Sequence, residues 1–189
     1  MTRENRLMLL NAAADLFAEK GFRRTTFEDV AERAGISRGS IPWHFGTKDG
    51  LMLAVLDHES DLLLADLRGA EEMDAAAVSD HLIELARDGT LRRVSRLFIA
   101  LYVEALTPDS PIREAFADIH DKIRANLASW AGRVLDLPTD VTADDAAVLL
   151  FGAGLGVDMQ WLITPDRIDQ DRAFLAMRSL LRPVTRRQE

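Results

Sequence analysis

The sequence predicts an all-α chain, and three observations carry that expectation. Alternation of β-branched residues is missing throughout, Ala, Leu, Arg, Glu and Asp dominate the long segments, and Gly or Pro falls between helical stretches. Punctuation of this kind divides the chain into about nine helices, four of them within roughly the first 65 residues.

The first helix is expected from Arg3 to Lys20, with Leu9, Leu10, Ala13, Leu16 and Phe17 on one face and Gly21 as its left-handed stop. A short second helix follows Thr26, whose hydroxyl can cap it while Asp29 answers three residues on, and ends at Gly35. Ser37 is expected to cap a third helix ending near Phe45. Thr47 should cap a fourth carrying Leu51, Val55, Leu62 and Leu63. Breaks at Gly69 to Asp74, Gly89, Pro108 to Pro111, Leu137 to Thr142 and Thr164 to Asp166 delimit five more. In the stretch from Pro111 to Leu135, Ile112, Phe116, Ile119, Ile123, Leu127, Trp130 and Val134 alternate spacings of three and four, with Pro111 suited to the first helical position behind Ser110. The stretches Thr90 to Leu106 and Asp145 to Leu162 are apolar nearly all round, so each requires burial on more than one side. The former suits a central core helix and the latter a contact with another subunit.

At 189 residues, 48% of them hydrophobic, the chain can bury one sizeable core or two small ones. It has no Cys, which excludes disulfide frameworks, thiolate zinc sites and cysteine nucleophiles and makes a cytoplasmic setting the expectation. The opening MTRENRLMLL mixes charges with apolar residues and does not read as a signal peptide. The apolar runs LFIALYV and AAVLLFGAGLGV each fall short of the ~20 residues of a membrane span, so no membrane partner is expected. The formal net charge of −8 argues against a nucleic-acid partner until its distribution is considered. Of 23 Lys and Arg and 31 Asp and Glu, residues 1–50 hold 8 and 7, which leaves 15 and 24 for the remainder. The acidity therefore belongs to the later segment. Motifs of enzyme chemistry are missing: there is no Glu-x-x-His pair, His-x-x-x-His pair, Gly-x-Ser-x-Gly elbow or Walker-type loop, and His44, His58, His81 and His120 are scattered. Neither enzymatic activity, nor a cofactor, nor a metal is expected.

Two short helices separated by Gly35, the second opening with small and basic residues, have the spacing of a helix-turn-helix. The order of residues is more specific. Arg6, Leu9, Leu10, Ala12, Ala13, Leu16, Phe17, Gly21, Phe22, Thr25, Thr26, Val30, Ala31, Ala34, Gly35, Ile36, Ser37, Gly39, Ile41, Trp43, His44, Phe45, Lys48 and Leu51 run in register over residues 6 to 51. This stretch resembles the N-terminal domain of the TetR family of regulators. The remainder resembles that family only in length, helix count and helical character. The resemblance implies a helix-turn-helix DNA-binding domain over residues 1–48 and a helical ligand-binding and dimerisation domain over 49–189.

On that resemblance, Thr25, Thr26, Ser37, Arg38, Gly39, Ser40, Trp43, His44 and Lys48 form the DNA-binding set. Gly39 would let backbone approach a phosphate or thymine methyl, and Arg38 can reach a guanine edge bidentately or a phosphate, with Ser40 able to donate to either. Thr25 and Thr26 stand where free N–H groups attract a phosphate. His44 and Lys48 match positions at which the family contacts the DNA backbone, and Trp43 could lie along a sugar-phosphate strand. Pro42 departs from the family, which usually has Tyr there. A proline inside a helix removes one hydrogen bond and crowds residue 38, so a short or kinked helix is expected around Ile41 to Trp43.

The resemblance further implies a homodimer on double-stranded operator DNA, with two reading helices about 34 Å apart. Phe151, Gly152, Leu155, Gly156 and Met159, with Phe174, Met177 and Leu181, are the candidates for its interface; the glycines alternatively mark a helix break or an intrachain contact. A small-molecule effector entering between central helices would shift the fourth helix and part the reading heads, and Phe98, Tyr102, His120, Trp130 and Trp161 are candidates to line its pocket or are ordinary core. The chain is thus expected to be a repressor released by an effector, or alternatively a ligand-binding or interaction protein on the same fold that has lost DNA binding.

Overall fold

The computed structural model describes residues 3–69, 72–87 and 90–181. Among the described residues there are nine α-helices and no strand: α1 Arg3–Lys20, α2 Phe27–Ala34, α3 Ser40–Phe45, α4 Lys48–Gly69, α5 Ala75–Arg87, α6 Thr90–Leu106, α7 Arg113–Val134, α8 Ala143–Ile163 and α9 Gln170–Leu181. The break expected at Gly89 lies outside the described residues.

Local chemistry fixes most of these boundaries. Thr26 and Asp29 form a reciprocal capping box at the start of α2, the hydroxyl accepting from the Asp29 N–H while the carboxylate accepts from the Thr26 N–H at 2.7 Å. Gly35 then takes φ 64°, a left-handed value that a side chain disfavours, and its N–H returns to the carbonyls of α2. Thr47 caps α4 through the Gly50 N–H at 3.0 Å. A second capping box, Thr142 with Asp145, starts α8 at Ala143, two residues before the expected apolar onset. Pro111 does not open α7. The chain turns first, with the Ser110 carbonyl accepting from Arg113, and the helix begins at Arg113.

Two compact units partition the chain by contacts, one of Met1–Leu62 with Arg96–Asp118, the other of Leu63–Ser95 with Ile119–Glu189. In the first, Leu9, Leu10, Phe17, Val30, Ile41, Leu51, Met52, Val55 and Leu56 are buried, together with Leu97, Leu101, Ile112 and Phe116. In the second, one cluster joins Trp130, Ala131, Leu135 and Ala146, and another joins Ile83 of α5 to Phe174 of α9. α6 is not buried all round, since Val103 and Leu106 face outward while Leu97, Phe98 and Leu101 face in.

α8 corrects an expectation about length. Its apolar run alone is too short for a bilayer, but the whole 21-residue helix is long and apolar enough to cross one by length and composition. Yet it carries a buried carboxylate, Asp158, that accepts hydrogen bonds from the Ser95 hydroxyl of α6 at 2.6 Å and the Gln170 amide of α9 at 3.0 Å. Burial pushes the Asp158 carboxyl above its ordinary range, and the two donors only partly oppose it. A raised native pKa means the charged form is disfavoured, so stability declines as pH rises through it. An asparagine in its place could keep both partners, its amide donating to Ser95 and its carbonyl accepting from Gln170. The Asp158→Asn variant should therefore melt no lower than wild type at neutral pH, and any advantage should shrink as the pH is lowered toward about 4. Thermal melts across that range check both the sign and the trend.

Candidate nucleic-acid interface

The residues from Lys20 to Lys48 are organised around the joint between α1 and α2. The Lys20 ammonium lies 2.7 Å from the Asp29 carboxylate, the same group that closes the α2 capping box. Lys20 first, then the hydroxyl and N–H of Thr26, hold the Asp29 carboxyl well below the usual carboxylate range. Arg33 of α2 pairs with Glu19 of α1 at 2.8 Å, so the two helices are tied at more than one point.

The expected DNA-binding residues divide by exposure. Thr25 is buried, its hydroxyl donating to the Gly21 carbonyl at 2.9 Å, so the side chain stabilises the turn and is not offered outward. Ser40 is also buried, its hydroxyl 3.0 Å from that of Ser37. Ser37 does not cap a helix there. Instead its carbonyl accepts from the Ser40 N–H and the Arg38 carbonyl from the Ile41 N–H, a tight turn over residues 37–41 that leads into α3. Thr26, Ser37, Arg38, Gly39 and Trp43 are exposed, Trp43 to 69%.

Pro42 is accommodated for a physical reason. α3 is only six residues long, and Pro42 stands in its first turn, where an N–H would have no helical partner. The Arg38 carbonyl that such an N–H would meet is already taken by Ile41, and the Pro42 carbonyl accepts from Gly46 at 2.9 Å. The expected shortening is present, achieved by delaying the start of the helix.

Within this short helix Ser40 and Ile41 point inward, while Gly39 and Trp43, four apart, share the outer side. His44 is half-buried between Trp43, edge-on at 4.6 Å, and Phe45 at 5.7 Å, and its shielded Nε2 makes no hydrogen bond. Lys48 is turned inward: its ammonium sits 4.4 Å from the Phe22 ring centre and donates to the Arg23 carbonyl at 3.2 Å. Burial lowers its pKa against the opposing pull of Asp49, Glu104 and Asp29. Arg38 forms an ion pair with Glu28, a residue of the first turn of α2 outside the expected set. Both partners are largely exposed, and such pairs contribute about 0.2–1 kcal/mol, less than the roughly 1–3 kcal/mol of a bidentate guanine contact. Glu28 was hidden from sequence inspection because it lies ten residues from Arg38 with a turn between.

Two glycines behave oppositely. A Cβ on Gly50 would collide with the Phe45 carbonyl oxygen, so this glycine lets α4 start tight against the end of α3. A Cβ on Gly39 would meet nothing within 4 Å, and Gly39 has ordinary helical angles, φ −62° and ψ −17°.

With this head in view, the likeness to known proteins is specific. A family model described as bacterial regulatory proteins, tetR family, matches residues 9–55. Over 179 residues the chain is 34% identical to the HTH-type transcriptional regulator TtgR of Pseudomonas putida, spanning 88% of this chain and 84% of TtgR. The chain belongs to the TetR family of DNA-binding transcriptional regulators. A solved transcriptional regulator from Rhodococcus sp. Rha1 shares the TetR-family fold at a TM-score of 0.79 and 25% identity, over 97% of this chain and 99% of that one. NalD, described as the secondary repressor of the MexAB-OprM multidrug efflux pump in Pseudomonas aeruginosa, gives 0.72 at 23% identity over 98% of each, which shows the fold alone.

The other candidates of this TetR-family chain are placed as follows. Phe98 is buried edge-on to Phe116 with ring centres 5.9 Å apart, and Tyr102 is tilted on the same ring at 5.0 Å. His120 is half-buried, edge-on to Phe151 at 5.1 Å, and burial first, then the Arg124 charge, lowers its pKa. Trp161 is half-buried, whereas Trp130 is core and gives its indole N–H to the Met73 carbonyl at 2.9 Å. Phe174 is buried against Ile83, while Met177 beside it and Leu181 on the Trp130 cluster are half-buried. Gly152 and Met159 of α8 are exposed, and Phe151, Leu155 and Gly156 are half-buried. Sequence inspection missed Leu149 and Ile163, exposed at 71% and 77%, although Leu149, Gly152, Gly156, Met159 and Ile163 follow one another at spacings of three and four.

Loss of the α2 cap isolates the joint on which this head rests. Thr26→Ala should lower stability by about 1 kcal/mol. Chemical denaturation with helical circular dichroism reads the loss, and an unchanged midpoint would show that the Lys20 and Arg33 pairs alone suffice.

Proposed function

We propose that the chain is a cytoplasmic homodimeric repressor that holds two-half-site operator DNA through residues 1–48 and is released by a small-molecule effector bound within residues 49–189. The observation that carries the DNA-reading part is Gly39. Its dihedral angles suit any residue, and its missing side chain would touch nothing in the chain, so the fold supplies no reason for glycine there. A duplex approaching that turn closely supplies one. Thr26, Ser37, Arg38, Gly39 and Trp43 are the contacts on this reading, and Lys48 joins them only by leaving the Phe22 ring and the Arg23 carbonyl for a phosphate. Thr25, Ser40 and His44 shape the turn from inside.

The dimer rests on α8. Leu149, Gly152, Gly156, Met159 and Ile163 form one stripe with large apolar side chains in solvent, and beyond the helix's own backbone and the adjoining residues nothing lies within 4 Å of a Cβ built on either glycine. A second helix laid along that stripe would cover it and approach closely at the glycines. The buried bonds of Asp158 to Ser95 and Gln170 favour protein packing over a bilayer for this helix. His120 and Trp161 are the effector candidates retained. TtgR is named as a regulator and NalD as a repressor, in keeping with this reading.

Two experiments test it. Binding to a duplex of the region upstream of its own gene should be sequence-selective and should weaken between about 50 and 200 mM salt. Gly39→Ala should raise stability, by about 0.4–1 kcal/mol, because alanine adopts these dihedral angles and has fewer unfolded conformations to lose, while weakening that binding. Anisotropy titrations paired with thermal melts read the two effects in opposite directions, and an alanine variant that binds DNA as wild type does removes the argument from Gly39. Separately, Leu149→Glu with Ile163→Glu should convert a dimer to monomers in sedimentation velocity and weaken binding to a two-half-site duplex far more than to one half-site. A dimer that survives both charges has its interface elsewhere.

A further inference from the structure

Glu28 faces the DNA-reading turn and pairs with Arg38, yet a carboxylate at neutral pH only accepts hydrogen bonds and repels phosphate. Such a residue weakens docking on every sequence alike unless it does something selective. The atoms engaged indicate what that is. Arg38 Nη1 is the nitrogen held by Glu28 Oε1, which leaves Nη2 and Nε on the other edge of the planar guanidinium. Those two N–H groups have the parallel spacing that meets O6 and N7 of a guanine in the major groove. With Nη1 paired, the guanidinium is biased away from the nearest phosphate, and the pair as a whole carries no net charge with which to attract one.

We infer that Glu28 is a positioning residue that biases Arg38 toward a guanine edge and away from the phosphates, so that it raises the sequence selectivity of this head while lowering its affinity for unrelated duplexes. The inference rests on the DNA-reading role proposed above. Glu28 is exposed in the first turn of α2, and its side chain takes no part in the Thr26 and Asp29 cap, so its replacement by glutamine should leave the fold intact. Glutamine keeps the size and one acceptor oxygen but removes the charge.

The test uses the full-length chain. A preferred duplex is selected from a random pool, each of its guanines is replaced in turn, and dissociation constants are measured for wild type, Glu28→Gln, Arg38→Lys and the double variant at several salt concentrations. Glu28→Gln should bind an unrelated duplex several-fold tighter at low salt, and the slope of log affinity against log salt should steepen by about 0.9, the signature of one added phosphate contact. Its discrimination at one guanine should fall by about two- to fivefold, the bias that an exposed ion pair can exert. Arg38→Lys should lose discrimination at that same guanine, and adding Glu28→Gln to it should cost no more there. A melt of each variant confirms folding. Unchanged discrimination in Glu28→Gln overturns the inference, as does a loss that persists undiminished in the Arg38→Lys background. A wild-type chain that selects no duplex at all overturns the DNA-reading role itself, whereas a selective wild type with an equally selective Glu28→Gln removes only the role of Glu28.

Discussion

The carboxylate of Asp29 is the group on which the reading head depends. It accepts from the Thr26 N–H and hydroxyl and from the Lys20 ammonium, so one side chain caps α2 and fastens it to the end of α1. A helix of eight residues is too short to hold together by its own hydrogen bonds. The cap satisfies its first donors, the Gly35 turn closes its carbonyl end, and Val30, Ala31 and Ala34 bury its inner face. The next segments of chain inherit the placement. The turn over residues 37–41 leaves Gly35 in a direction fixed by a left-handed residue, and α3 starts where that turn delivers it.

The small polar residues of this head are split between two tasks that their chemistry does not distinguish. Thr25 and Ser40 spend their hydroxyls inside, on the Gly21 carbonyl and the Ser37 hydroxyl. Thr26 and Ser37, each adjacent in sequence or one turn away, remain exposed. In a structure this small, a buried hydroxyl left unpaired would cost as much as a cap contributes, so the inward pair must be satisfied before the outward face can be presented. His44 is the exception: its shielded Nε2 makes no hydrogen bond, and the ring lies against those of Trp43 and Phe45.

Local signals in the sequence were legible, and signals that depend on packing were not. The cap of α2, the stops at Gly21 and Gly35 and the brevity of α3 can be read from a few adjacent residues, because hydrogen bonds over three or four positions decide them. The start of α7 was misread because Pro111 and Ser110 suit a helix start in isolation, while the turn closing on Arg113 fixes the boundary two residues later. Whether Phe174, a dimer-interface candidate, and Trp130, a pocket candidate or ordinary core, pack inside the chain could not be read locally, because their partners, Ile83 and the Met73 carbonyl, are 91 and 57 residues away in the chain. The inward direction of Thr25 and Ser40 was illegible for a related reason, since each neighbours a residue of the same chemistry that points outward. Leu149 and Ile163 were legible in principle from spacing alone, but an evenly apolar helix conceals which stripe remains uncovered.

Charge in the head raises a further constraint. Lys20, Arg23, Arg33 and Arg38 are paired with Asp29, Glu104, Glu19 and Glu28, Arg6 lies over the Phe45 ring, and Lys48 lies over that of Phe22. Most of the cations that residues 1–50 supply are therefore already engaged before any duplex arrives. A head of this kind gains little from phosphates, because each new contact must first displace a carboxylate or a ring. On the dimeric reading, occupancy of an operator then relies on two weak heads engaging together, where the second binds at the effective concentration that the first confers. That gain depends on the distance between the heads and vanishes when they no longer fit successive grooves. A modest change of spacing is then enough to release the DNA, without any alteration of the contacts within either head.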